Sequence, residues 1–141
     1  MMLVLACSAG LRIGEIVRLD VGDFDKDDDR TIDVRGTKFF KSRRLPLATS
    51  VTSALQSYLS ARSQAGAPTN PDAPLFWHER KAGRYSVVTT NKLLTAILRR
   101  AGLKPKPGRS GPHIHDARHT FVVNRMLDWF REGVNPQSRL P

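Results

Sequence analysis

Three segments of the 141-residue chain hold residue types and spacings that could act on an anion. The first is Ala9-Gly10-Leu11-Arg12-Ile13-Gly14-Glu15, where an arginine follows a glycine break between apolar residues. That setting predicts a half-buried guanidinium, and Glu15, three residues on, can brace it across a helix face. The second is a basic turn over 36–43 that carries Lys38, Lys41 and Arg43. The third, His115-Asp116-Ala117-Arg118-His119, opens a predicted helix. There His115 and Arg118 share a face, and the unpaired backbone N–H groups of a first turn favour an anion. An imidazole and a planar guanidinium at such a place make a candidate phosphate site. Each residue alone has a plainer reading. Arg12 is a structural ion pair, Lys38 a solvated tip, His115 a cap and His119 a packed ring.

Competing chemistries are weaker. His115 and His119 stand at i and i+4, and His-Asp-x-x-His is one carboxylate away from a zinc-hydrolase pattern. Asp116 is shorter than the Glu that chemistry uses, Arg118 would place a cation beside the metal, and neither His78, His113 nor Cys7 is convincingly placed as a third ligand. The zinc hydrolase is kept as the less favoured alternative, and the preferred reading needs no metal or other cofactor. Cys7 sits in an apolar run with no adjacent base and is expected to be a buried core thiol. Neither a phosphate-binding Gly-Lys-Ser/Thr loop nor a dinucleotide fingerprint occurs. The acidic group Asp23, Asp25, Asp27, Asp28 and Asp29 lacks the Gly and closing Glu of a calcium loop, so a solvated turn is expected.

These residues need elements to hold them. Met2 to Ala9 is expected to be helical and broken at Gly10, with a short helical stretch from Ile13 to Leu19. Thr31 to Arg35 alternates like a strand and Arg44 to Leu47 is a second one, with Pro46 favouring an edge; together they form a hairpin with Lys38 and Lys41 at its tip. Val51, Ala54, Leu55, Tyr58, Leu59 and Arg62 recur at helical spacing after a cap at Thr49 or Ser50. Thr89 or Thr90 opens a further helix with Leu93, Leu94, Ile97, Leu98 and Ala101 on its apolar face, ended by Gly102. A last helix is expected from about His115 to Arg131. The expected fold is α+β, mainly helical with a small antiparallel β-hairpin.

The chain carries 23 Lys and Arg against 13 Asp and Glu, for a net charge of +10. Residues 51–141 contribute fourteen of the basic and five of the acidic groups. Such a balance points to a polyanionic partner, nucleic acid before membrane. Lys104, Lys106 and Arg109, on the loop before the last helix, join Lys41 and Arg43 as candidate backbone contacts, although a loop lysine is often only solvated. No apolar run approaches the roughly 18 residues of a membrane span. A single cysteine and no basic leader fit a cytoplasmic protein.

Together, Gly10-Leu11-Arg12-Ile13-Gly14-Glu15, Lys38 ahead of Leu45-Pro46-Leu47, and His115-x-x-Arg118-His119-Thr120-Phe121 resemble the catalytic domain of the tyrosine recombinases, the phage integrase family. The resemblance runs from about Leu3 to the end. It implies that Arg12 and Arg118 clamp a scissile phosphate, that Lys38 protonates the leaving oxygen, and that His115 contacts the phosphate and helps manage the nucleophile's proton. Glu15 and His119 would support them. The implied partner is double-stranded DNA, with other recombinase protomers beside it. The family's Leu-Gly-His motif and tyrosine nucleophile would fall beyond Pro141, and its amino-terminal DNA-clasping domain has no counterpart. The expectation is therefore a truncated catalytic domain, an incomplete tyrosine-recombinase core spanning 1–141, that binds DNA and does not cleave it alone. A non-catalytic nucleic-acid-binding remnant is the alternative.

Overall fold

The computed structural model describes residues 1–25, 30–36, 42–79, 83–105 and 111–138. Lys38, Lys41, Lys106 and Arg109 lie outside them, as do Asp27, Asp28 and Asp29.

Helix α1 (Met2–Ala9) stops where Gly10 takes φ 63°, a left-handed conformation that costs glycine little. Arg12 then caps a one-turn helix, α2 (Ile13–Ile16), whose first-turn Glu15 accepts the Arg12 backbone N–H at 2.8 Å. Strands β1 (Phe24–Asp25), β2 (Thr31–Val34) and β3 (Arg43–Pro46) form one antiparallel sheet in that order. Ile32 faces Phe24 and Leu45, and Val34 faces Arg43. Pro46 does sit on an edge strand, where its missing N–H costs no ladder bond. Alternation buries Ile32 and Val34 and turns Asp33 outward, where Arg44 grips it through two bonds of 2.9 and 3.1 Å.

Helix α3 (Thr49–Gln64) buries Val51, Leu55 and Arg62. Its N-cap is Ala48, not Thr49 or Ser50, and the Thr49 hydroxyl instead accepts a bond from Arg30. Arg62 is almost wholly buried and donates to the carbonyls of Pro68, Pro74 and Leu75, fastening the proline-rich loop to the helix. That loop leads into a second sheet, β4 (Trp77–His78) with β5 (Gly83–Arg84), which periodicity could not reveal because each strand has two residues. Helix α4 (Val87–Arg100) begins before the expected Thr89, because the Ser86 hydroxyl accepts the Thr89 N–H at 3.0 Å. Of its expected apolar face, Leu94 is buried while Leu93 and Ile97 are exposed. Helix α5 (Ile114–Arg131) packs against α1.

The core is continuous through Leu5, Leu11, Ile16, Leu19, Ile32, Leu55, Leu75, Phe76, Leu94 and Ile114. Two expectations about burial are corrected. Cys7 is exposed, because α1 turns Met2, Leu5 and Ala6 inward and presents Cys7 on the opposite side. Asp23, expected in a solvated turn, is buried, accepts the Asp20 N–H and pairs with Arg35 at 2.8 Å. Burial, partly opposed by that hydrogen bond and the Arg35 charge, pushes its carboxyl above its ordinary value.

Candidate functional site

Two helix starts meet at the site. At the first, the left-handed turn at Gly10 redirects the chain so that Leu11 enters the core and Arg12 emerges at the start of α2. At the second, His113 caps α5 and Asp116 accepts its backbone N–H at 2.7 Å, which fixes the first turn. His115 and Arg118 project from that turn on one side. The two starts are held together at Gly10, whose carbonyl accepts a bond from Arg118 Nη1 at 2.5 Å. A methyl at Gly10 would lie 2.5 Å from the Phe121 ring, so the close approach of α5 to α1 depends on glycine there.

Between them lies a cavity of about 180 Å³ lined by Arg12, His115, Arg118 and Asn91, with Leu11, Ile13 and Ile114 as apolar walls. It is smaller than the ~300–1,000 Å³ pockets that enclose whole organic ligands. Its size suits one small anionic group of a larger molecule lying on the surface. Asn91 was not anticipated, and a lone Asn on the polar side of an amphipathic helix gives no spacing signal. A larger cavity, about 370 Å³, is lined in part by Glu15, Asp20 and Asp23. Its carboxylates are already occupied, with Arg84 on Asp20 and Arg35 on Asp23.

The cavity is electropositive by construction. Burial lowers the Arg118 pKa from its ordinary value, and the like charge of Arg12 lowers it further while Glu15 opposes the shift. Two guanidinium groups that repel each other across a small cavity favour an anion between them. Arg12 is half-exposed and keeps one side-chain bond to Glu15, at 3.3 Å. Glu15 is buried, and burial raises its pKa. Hydrogen bonds from Arg43 and from the Arg12 backbone, with both charges, outweigh this and hold the carboxyl below its ordinary value.

Two of the expected DNA contacts have partners within the chain. Arg43 binds Glu15 through both terminal nitrogens, at 3.1 and 3.0 Å. Lys104 is buried, and its ammonium donates to the carbonyls of Gly111 and Pro112 at 3.3 and 3.2 Å. It closes the loop ahead of α5. His119 is exposed, not packed in the core, and meets the His115 ring edge to face with centroids 4.7 Å apart. Among the described residues no group of three His, Cys, Asp or Glu could hold a metal ion, so the zinc alternative finds no third ligand. Neither tyrosine lines the cavity. Tyr58 donates to the Leu75 carbonyl, and Tyr85 packs edge to face on His78. No helix among the described residues is long and apolar enough to cross a membrane.

The phage integrase family model matches residues 1–133. The integrase/recombinase y4rB of Sinorhizobium fredii, so described, is 33% identical over 133 residues, covering 94% of this chain and 42% of that protein. The crystal structure of XerA recombinase superposes with a TM-score of 0.69 at 25% identity, over 88% of this chain and 41% of that one. The Tn1549 transposon integrase, solved in complex with circular intermediate DNA, has the same fold, with a TM-score of 0.68 at 21% identity over 96% of this chain and 48% of that one. The chain thus spans less than half the length of each of these relatives.

Proposed function

The chain belongs to the phage integrase family, and on that premise we propose that its small electropositive cavity grips one phosphodiester of duplex DNA for site-specific recombination. The observation that carries this reading is the convergence of Arg12, His115 and Arg118, from opposite ends of the sequence, on one cavity. In strand cleavage and rejoining through a 3′-phosphotyrosyl intermediate, charge builds on the two non-bridging phosphate oxygens. Two guanidinium forks can neutralise it without a metal. His115 lines the same cavity, and in this reading it donates to the same phosphate. Lys38, by resemblance, protonates the departing 5′ oxygen.

Neither Tyr58 nor Tyr85 lines the cavity; the reading is for DNA binding, with a partner protomer or segment bringing the nucleophile. A duplex titration at several salt concentrations tests the binding. Affinity falls steeply with salt, because each Lys or Arg on a phosphate releases counterions. Affinity that stays flat between low and moderate salt contradicts the DNA reading. A covalent adduct on a nicked suicide duplex contradicts the assignment of the nucleophile to another chain or segment.

A further inference from the structure

Glu15 is shared by two arginines unequally. Arg43 holds both carboxylate oxygens in a fork at 3.0–3.1 Å, while the Arg12 side chain keeps one longer bond of 3.3 Å. The Glu15 side chain is 3% exposed and that of Arg12 50%, so the carboxylate is fixed and the Arg12 guanidinium reaches toward the cavity.

We propose that Arg43 is a positioning residue for Arg12: by occupying both oxygens of Glu15 it keeps the Arg12 guanidinium turned to the cavity shared with His115 and Arg118. A buried carboxylate without a counter-charge is strongly disfavoured. If the Arg43 fork is removed, Arg12, three residues away and already touching Oε1, is the cation at hand to replace it. Arg12 then closes onto Glu15, and the cavity loses one arm of its clamp. Arg43 therefore acts through Arg12 and does not itself contact DNA. The inference rests on the cavity being a phosphate site.

The test is an orthovanadate titration of the full chain, followed through the NMR signals of the His115 ring. Arg43→Ala weakens binding about tenfold, the scale expected when a charge-assisted contact is lost. Arg43→Lys keeps the net charge but loses the planar fork, so one oxygen of Glu15 becomes available to Arg12 and binding weakens severalfold. Adding Glu15→Gln to Arg43→Lys removes the charge that captures Arg12 and restores binding to near wild type. A role for Arg43 through charge alone predicts that Arg43→Lys binds like wild type, and that result overturns the proposal. So does a double variant as weak as Arg43→Lys. Should Arg43→Ala not fold, the two lysine variants make the same comparison. If vanadate leaves wild type and Arg118→Ala alike unchanged, the phosphate reading of the cavity has failed, and the positioning role falls with it.

Discussion

Arg118 donates a hydrogen bond to the carbonyl of Gly10, 108 residues earlier in the chain. The bond joins the start of α5 to the end of α1, and Arg12 stands two residues beyond the accepting carbonyl. A guanidinium has five N–H donors in a rigid plane, so one can anchor to the backbone while others face the cavity. The same side chain thus helps fix the geometry and lines the cavity.

Gly10 should resist substitution. Its left-handed backbone and the 2.5 Å approach of a would-be Cβ to Phe121 act together. Gly10→Ala is expected to destabilise the fold by about 2 kcal/mol, from backbone strain and displacement of the ring. Urea unfolding of the two proteins measures this; equal midpoints would show that α5 can shift without cost.

Glu15 should shape the acid limb of stability. Its carboxyl is held below its ordinary value, so it binds protons less readily in the folded chain than in the unfolded one. That stabilisation is fully present above the unfolded carboxylate pKa of about 4.3 and is lost as pH falls through the lower folded value. Wild type should therefore be more stable than Glu15→Gln at pH 7, and the gap should narrow as pH falls below the unfolded carboxylate pKa. Parallel stability curves across that range contradict the assignment. Asp33, lowered chiefly by its hydrogen bonds with Arg44, contributes an acid limb of its own in both proteins, so the difference between the curves isolates Glu15.

Lys104 should matter to folding more than to DNA. Lys104→Met keeps the stem and deletes the ammonium bonds to Gly111 and Pro112. Amide exchange at the start of α5 should quicken, and stability should fall by about 1–2 kcal/mol. The slope of DNA affinity against salt should not change. A shallower slope with unchanged stability would return Lys104 to the DNA interface.

Much of this arrangement was legible in the sequence, for identifiable reasons. Arg12 and Glu15 lie three apart beside a glycine, and His115 and Arg118 lie three apart at a helix start, so local spacing predicts both pairs. Ile32 and Val34 alternate, which gave β2. Long-range partners left no such trace. Nothing in the turn 36–43 says that Arg43 would fold back onto Glu15, 28 residues away, and not face solvent. Lys104 sits in a loop rich in Gly and Pro, and only the folded loop brings carbonyls to its ammonium. Helix boundaries slipped where a cap was misassigned, as at Ser86, and β4 and β5 are too short for any period. Cys7 misled because α1 is apolar nearly all round, so its buried side could not be chosen from pattern alone.

The most direct measurement is a double-mutant cycle between Arg12 and Arg118, read as orthovanadate affinity. If both forks grip one anion, Arg12→Ala and Arg118→Ala each weaken binding tenfold or more on the scale of about 1.4 kcal/mol per decade, and the double variant loses far less than the product of the two effects. Strictly multiplicative losses, or an Arg12→Ala protein that binds vanadate as wild type does, would show that the two guanidinium groups do not share a site.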